Sequence, residues 1–495
     1  MKKLPLISLI TLSITMVGCA VSPQKFTINE IEQIHMDDRN AAMAQVEPYG
    51  EVMTINEAIA RALKYNLEQR VKKLSQSLAS SELELGKYDM LPTLVAKAGY
   101  NTRNNYSSRY ESTYSDPKNI DRTEDTSVSS EKKHSNFDLG LSWNILDFGA
   151  SYYTAKQNAD KFLIASENRR KSMHTLIRNV RTAYWKALAT EKLADRVRDV
   201  ILASEEALKK SEKLSNERIS SPEESLRYQR NLLENLRLLE AIEKELGSAR
   251  VELTALTGSF PGSTFKLVEP KFNLDVLDIA VEEMEAIALL NNVDLKKGLF
   301  NARIAAQDTR KAILKLLPGI SLDFGTHRDN DTFLVNESWN SAGLSLSYNL
   351  FSILSAPARM SAAEKNEAVA KARRMALQMT VLTQVHLARL QYTNTLKQYK
   401  RADRIFSVDS QLEKIAAGKY KGNMAGRQRQ ISSSVTTILS ELRSYQAMSK
   451  FQDSIGLLHT TLGLEPEIGS VDDISLTELS DFIGQWMLKG LVVNE

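Results

Sequence analysis

Two stretches of this chain, 226 positions apart, constrain the fold more than any other feature. Tyr65 to Pro92 reads YNLEQRVKKLSQSLASSELELGKYDMLP, and Asn291 to Pro318 reads NNVDLKKGLFNARIAAQDTRKAILKLLP. Asn66 and Pro92 fall on Asn292 and Pro318. Downstream, LSWNIL (Leu141 to Leu146) answers LSYNLF (Leu346 to Phe351) at an offset of 205, and Gly258 in ALTG answers Gly463 in TTLG at the same offset. The offset drops by 21 between Pro92 and Asn144, so the first half carries that many extra residues in one polar segment. Constant-offset blocks joined by a single length change mark a tandem repeat.

Each half reads in the same order. A helix, roughly Ile55 to Tyr88 and then Ile279 to Leu316, carries apolar residues at three- and four-residue spacing. It stops before a Leu-Pro, because proline disfavours helix in the residue ahead of it. Strands follow over 93–104 and 136–147 in the first half and over 319–327 and 340–351 in the second. In FDLGLSWNIL, Phe137, Leu139, Leu141, Trp143 and Ile145 alternate with Asp138, Gly140, Ser142 and Asn144, the period of a strand buried on one side. Between the strands lies a polar loop, long in the first half (Asn101 to Ser135) and short in the second (about His327 to Trp339). From Ala150 to Ser215, and again from Ala358 to Ala417, there is neither Gly nor Pro. Sixty-odd helical residues span roughly 90 to 100 Å, so these helices must pack along their length as coiled coils do. Tips at 215–224 and 418–426 end them, and a second helix returns to Gly258 or Gly463. The chain thus divides into a first repeat (52–258), a linker (259–278), a second repeat (279–463) and a C-terminal segment (464–495).

The amino terminus has its own logic. MKK followed by the apolar run Leu4 to Val17 has the make-up of a signal peptide, 1–18, and is short for a membrane span. Cys19, the only cysteine, stands just after Gly18 and resembles a bacterial lipoprotein cleavage site, with a covalent lipid expected on Cys19 and an extended, lipid-anchored segment over 19–51. With one cysteine no internal disulfide is possible. Charged residues are 25% of the chain and the formal net charge is +3, which implies no nucleic-acid partner.

Four strands near ten residues long suit bilayer crossing. Their apolar faces end in Trp143, Phe148, Tyr348 and Phe351, as an interfacial aromatic belt would. Ser, Asn, Asp, Gly and Lys97 fill the other face. A small sheet packed on helices gives the same alternation, but the long helices meet these strands end-on and offer no apolar cover. Open strand edges are not tolerated in lipid, and four strands are too few to close a pore. Several chains must then share one barrel.

The ordered set of features resembles the TolC family of outer-membrane efflux lipoproteins over roughly Val52 to Leu464: lipobox, LP before the first strand, NILDFG after the second, LTG closing the helix, and the long helices between. The resemblance implies a mainly α protein with a small membrane β-barrel. It also implies a homotrimer whose twelve strands close one barrel and whose coiled-coil helices form a tunnel across the periplasm. An equatorial layer would come from Glu269 to Leu277 and the segment after Glu465. A periplasmic adaptor and an inner-membrane pump or ABC transporter are the implied partners, alongside outer-membrane lipid. In the family the tips close the tunnel with Gly-apolar-x-Ser followed by an acid and a Leu. Here the first tip offers Arg218, Ile219, Ser221, Glu224 and Leu226, with Ser220 beside them. The second offers Asn423, Met424, Gly426, Arg429 and Ile431, with Arg427 nearby. Arg218 and Asn423 replace the glycine and Arg429 the acid, so an acidic ring does not carry over to the second tip. These positions are either the aperture and adaptor contact or plain solvated turns.

Chemistry of other kinds finds no footing. The six histidines have no metal-type spacing, no phosphate loop or hydrolase elbow occurs, and the basic cluster ENRRKSMHTLIRNVR reads as a solvated helix face. The expectation is no enzyme and no cofactor, but a duct for solutes or polypeptides in tripartite efflux or type I secretion. A pore-less periplasmic coiled-coil scaffold is the competing reading.

Overall fold

The computed structural model describes residues 23–116, 119–216, 222–258, 263, 265–270, 279–419, 424–466, 468–469 and 471–489. The chain forms two compact units, Met1–Tyr49 and Gly50–Glu495. In the first, the described residues hold helix α1 (Ile28–Met43), none of whose residues is buried. Thr27 accepts from the Glu30 N–H while the Glu30 carboxylate accepts from the Thr27 N–H, a reciprocal capping box. The extended segment expected over 19–51 is therefore corrected: Thr-x-x-Glu starts a helix there.

The second unit opens with strand β1 (Val52–Met53), helix α2 (Ile55–Tyr65) and helix α3 (Leu67–Tyr88). Strands β2 (Thr93–Thr102), β3 (Ser107–Asp116), β4 (Asn119–Ser130) and β5 (Lys133–Asn144) follow. Helix α4 (Ile145–Asn216) is 72 residues long, about 108 Å at 1.5 Å per residue, and α5 (Pro222–Leu256) returns from it. Strand β6 (Lys266–Leu267) pairs in parallel with β1. Helices α6 (Val281–Asn291) and α7 (Val293–Leu314) match α2 and α3 in length. Strands β7 (Gly319–Asp329) and β8 (Ser338–Ser347) lead into helix α8 (Phe351–Lys419), then α9 (Met424–Leu462) and α10 (Leu476–Lys489).

Three sequence expectations shift. The single helix from Ile55 to Tyr88 is two, and so is its counterpart, because an asparagine interrupts each. Asn66 takes extended backbone (ψ 122°) and its side chain accepts from the Gln69 N–H, starting α3. Asn292 does the same for α7 through Asp294 and Leu295. The return strands end earlier than 147 and 351, because Asn144 Oδ1 accepts from the Leu146 and Asp147 N–H groups and Asn349 Oδ1 from Phe351, so each asparagine turns strand into helix. The long polar segment 101–135 is not all loop: β3 and β4 pair as an irregular antiparallel hairpin.

The helices form a packed wall. One core cluster between α4, α5 and α9 joins Leu193, Val197, Leu232, Leu239, Ile242, Val435, Ile438 and Leu442. A second surrounds α2, where Ala58, Ile59, Ala60 and Ala62 are wholly buried and Leu479 and Ile483 of α10 are buried too. Polar pairs stitch helix to helix. Arg178 holds Asp453 with two bonds of 2.6 and 2.8 Å, Arg303 reaches the buried Asp160, and Arg196 of α4 meets both Glu441 of α9 and Glu413 of α8. Among the described residues no helix is long and apolar enough to cross a membrane.

Candidate functional site

The site is a surface rather than a pocket, and it starts with the sheet. Strands β2, β5, β7 and β8 lie in that order, every neighbour antiparallel. Among the described residues β2 pairs only with β5 and β8 only with β7, so both edges are open. Cross-strand partners share a face. Leu94 stands opposite Leu141, which stands opposite Phe324; Trp143 faces Leu322, which faces Leu344; Ile320 faces Leu346. Among the described residues nothing covers this apolar face: Leu344 and Leu346 are 74% and 71% exposed. At the helix end Trp143 and Phe148 meet edge to face at 5.7 Å, while Tyr348 and Phe351 are also exposed. The aromatics expected from sequence thus gather where strands become helices. The opposite face is polar and hydrogen-bonded, with Ser142 Oγ donating to Asp323 (2.7 Å), Asn144 Nδ2 to Ser321 (3.2 Å), and His134 Nδ1 at 2.8 Å from Asp329.

A second exposed feature runs along α3. Leu67, Val71, Leu74, Leu78 and Leu85, each between 51% and 64% exposed, repeat at four- and three-residue intervals and fall on one stripe. Ile405, Val408, Leu412 and Ile415 repeat similarly on α8 and are exposed too. These are a- and d-type seams of a coiled coil, with no apolar cover within the chain among the described residues.

The helical wall is anchored at a joint made by the C-terminal segment. Glu465 receives Arg170 Nε at 2.8 and 2.9 Å and His174 Nε2 at 3.1 Å. Burial pushes the Glu465 carboxyl up, but Arg170 and His174 outweigh it and hold it below the usual range. Arg181, buried, donates twice to Gln452 Oε1 (3.1 and 2.7 Å) and is pulled down to about 10 by that burial. His459 lies against Trp486 with ring centroids 5.0 Å apart, and among the described residues neither of its ring nitrogens has a hydrogen-bond partner. Burial first, then the positive Arg181 and His174, lower it to about 3. Sequence reading placed this layer after Glu465 but named none of its histidines. The pattern Ser475-x-x-Glu478, which caps α10 reciprocally, was the available signal for that helix. The residues 271–278 of the expected layer lie outside the described ones.

The tip positions are placed in part. Cys19, Arg218, Ile219, Ser220, Ser221 and Asn423 lie outside the described residues. Met424, Gly426 and Arg427 begin α9, Arg429 is exposed one turn further, and Ile431 is buried in the core cluster. Glu224 is exposed in the first turn of α5, beside Glu223, which accepts from Arg227 at 2.8 Å. Acids at a helix N-terminus are favoured by the backbone dipole, so Glu224 has a structural reason for its place.

Residues 58–259 match the family described as outer membrane efflux protein. No curated protein sequence matches the chain. Among solved structures, the Campylobacter jejuni CmeC outer membrane channel aligns at a TM-score of 0.64 and 15% identity, covering 94% of this chain and 98% of that one. The open state of the Neisseria gonorrhoeae MtrE outer membrane channel aligns at 0.61 and 16%, covering 83% and 88%. The Vibrio cholerae outer membrane protein VceC aligns at 0.60 and 14%, covering 83% and 96%.

Proposed function

We propose, from the match of residues 58–259 to the outer membrane efflux protein family, that the chain is a passive export duct through the outer membrane. Three copies close one twelve-stranded barrel, each giving its four strands, and the helices continue it as a tunnel in the periplasm. The observation that carries this is the four-stranded sheet with a bare apolar face and two unpaired edges. Water satisfies such edges but exposes the apolar face; lipid accepts the face but not the edges, where each unpaired group costs several kcal/mol. Sharing a barrel among copies satisfies both at once. The seams on α3 and α8 support the same assembly, since each wants a neighbouring helix.

The duct exports solutes or polypeptides handed on by an inner-membrane pump or ABC transporter through a periplasmic adaptor, as the outer-membrane part of a tripartite efflux or type I secretion system. Cys19 carries the lipid that anchors it. Opening is a population shift at the helical tips, biased by the adaptor, with Arg218, Ile219, Ser220, Glu224, Asn423, Met424, Arg427 and Arg429 at the aperture or adaptor contact. The test is purification in detergent followed by mass measurement and planar-bilayer recording. The expected result is a trimer that forms ion-conducting channels; a water-soluble lipidated monomer without conductance would instead identify a periplasmic scaffold. Replacing Glu224 and Arg429 by Ala is expected to raise single-channel conductance, and unchanged conductance removes both from the aperture.

A further inference from the structure

We propose that the polar face of the sheet makes the duct prefer cations, with Asp138, Asp323 and Asp329 setting that preference and His327 positioning Asp138. The inference rests on the barrel reading, in which this face lines the lumen. Its basis is one row of directly opposed residues that crosses all four strands: Lys97, Asp138, His327 and Trp339. His327 Nδ1 lies 2.7 Å from Asp138 Oδ1, its Nε2 lies 2.9 Å from Ser341 Oγ, and its ring stacks on Trp339 at 5.1 Å and 19°. Asn136 Nδ2 donates to the other Asp138 oxygen at 3.1 Å.

The space for this arrangement is made by Gly325. A Cβ there would stand 2.6 Å from His327 Nε2 and 3.0 Å from Ser341 Oγ, so any larger residue would lift the imidazole off the sheet. Each carboxylate is held by donors other than lysine or arginine. Asp138 has the imidazole and the Asn136 amide, Asp323 has the Ser142 hydroxyl, and Asp329 has the His134 ring and the Asp331 N–H at 3.0 Å. Among the described residues none of the three makes an ion pair with a lysine or arginine. On this face of the four strands Lys97 is the one permanent cation, so the acids are in excess in every copy, and threefold repetition rings the lumen with them. A ring of carboxylates in a narrow aqueous passage concentrates cations and repels anions. The Trp339 indole beside it presents an aromatic plate, a surface that also favours cations. The preferred cargo is accordingly cationic or zwitterionic rather than anionic.

The experiment is the reversal potential of the full-length protein in planar bilayers under a tenfold KCl gradient. The wild type is expected to reverse on the cation-selective side. Asp138→Asn, Asp323→Asn and Asp329→Asn together should lower the potassium-to-chloride permeability ratio at least severalfold. Lys97→Gln, which leaves the acids in place, should raise it. His327→Ala, which frees Asp138 while keeping its charge, should change current noise and the ratio less than the triple variant does. Conducting channels whose reversal potential is the same in wild type, triple variant and Lys97→Gln would overturn the inference and leave the duct intact. A wild-type trimer that passes no current would overturn the duct reading itself.

Discussion

Gly258 and Gly463 show how much of this architecture hangs on single positions. Both have positive φ, 73° and 72°, directly after a long returning helix. A Cβ on Gly258 would lie 2.6 Å from the Tyr65 carbonyl oxygen, and one on Gly463 would strike the carbonyl of Asn291. The neighbouring asparagines use that close approach: Asn66 Nδ2 donates to the Leu256 carbonyl (3.1 Å) and Asn292 Nδ2 to that of Thr461 (2.9 Å), so each satisfies an orphan carbonyl at a helix end. Gly258→Ala combines the left-handed penalty of about 1–2 kcal/mol with that collision. It should lower the melting temperature of the purified protein clearly, whereas Gly247→Ala, inside α5 with nothing within 4 Å, should raise stability by about 0.5–1 kcal/mol. Acid should act at the C-terminal joint. His459 is held near 3 in the fold, against about 6.5 in an unfolded chain. The unfolded state therefore binds the proton first, and the stability His459 contributes is full above about pH 6.5 and is lost as pH falls from there toward 3. Glu465, also held low, loses its share in the same direction, at the acidic end of the carboxylate range. Thermal melts between pH 7 and 4 should show a steep decline, and His459→Phe should flatten it; an unchanged slope would remove His459 as its source.

Helix by helix, the wall combines apolar cores with charges whose partners sit on another element. Asp160 of α4 has a side chain only 2% exposed, and Arg303 of α7, 55% exposed, is its cation. Arg303→Leu leaves that buried carboxylate without its cation, with the Gln307 amide at 3.4 Å still in reach, and should cost about 1–3 kcal/mol, while adding Asp160→Leu should restore much of the loss. A double-mutant cycle by chemical denaturation reads this out, and additive single effects would deny the coupling. Elements of this kind differ in how plainly the sequence shows them. The long helices and the four strands of the sheet are legible because each has one apolar face whose period survives over many residues. Helix α1 and helix α10 were missed, although Thr27-x-x-Glu30 and Ser475-x-x-Glu478 announce their starts, because their apolar periods are short. The β3–β4 hairpin carries Ser, Arg, Tyr and Asp with no greasy side, so period-two reasoning has nothing to grip. The breaks at Asn66 and Asn292 were invisible for another reason: one residue of extended backbone leaves the apolar spacing almost undisturbed. At the tips the sequence supplied candidates but no geometry. Glu224 is equally well placed by the helix dipole, and Ile431, read there as part of a tip motif, is a core residue.

For the molecule as a whole, the proposed shared barrel fixes what a neighbouring copy would touch. β2 has its free edge on one side of the sheet and β8 on the other, so a closed ring of copies sets β2 of one protomer against β8 of the next. In that proposed assembly the exposed seam on α3 would be covered as well. Leu74→Glu with Leu78→Glu, on that seam and both more than half exposed, should shift the detergent-solubilised protein from trimer to monomer without unfolding the isolated chain; a trimer that survives would place the seam elsewhere. The strand edges permit a more direct trial, because Cys19 is the only native cysteine and engineered thiols have few rivals. Ala96→Cys on β2 is combined in turn with Ala342→Cys, Leu344→Cys and Leu346→Cys on β8, all on the apolar face by register. Directly opposed strand residues bring Cα atoms to about 4.5–5.5 Å, within the range a disulfide spans. Mild oxidation should give a ladder of covalent dimer and trimer for at least one pair, and the pair that reacts reads the register between protomers. Within one chain β2 and β8 are separated by β5 and β7, two strands and thus roughly 14 Å across at the usual interstrand spacing, so an intramolecular bond cannot mimic the result. Oxidised protein that runs only as monomer for all three pairs would mean that the edges are covered by something other than a copy of this chain, and the shared barrel would fall with it.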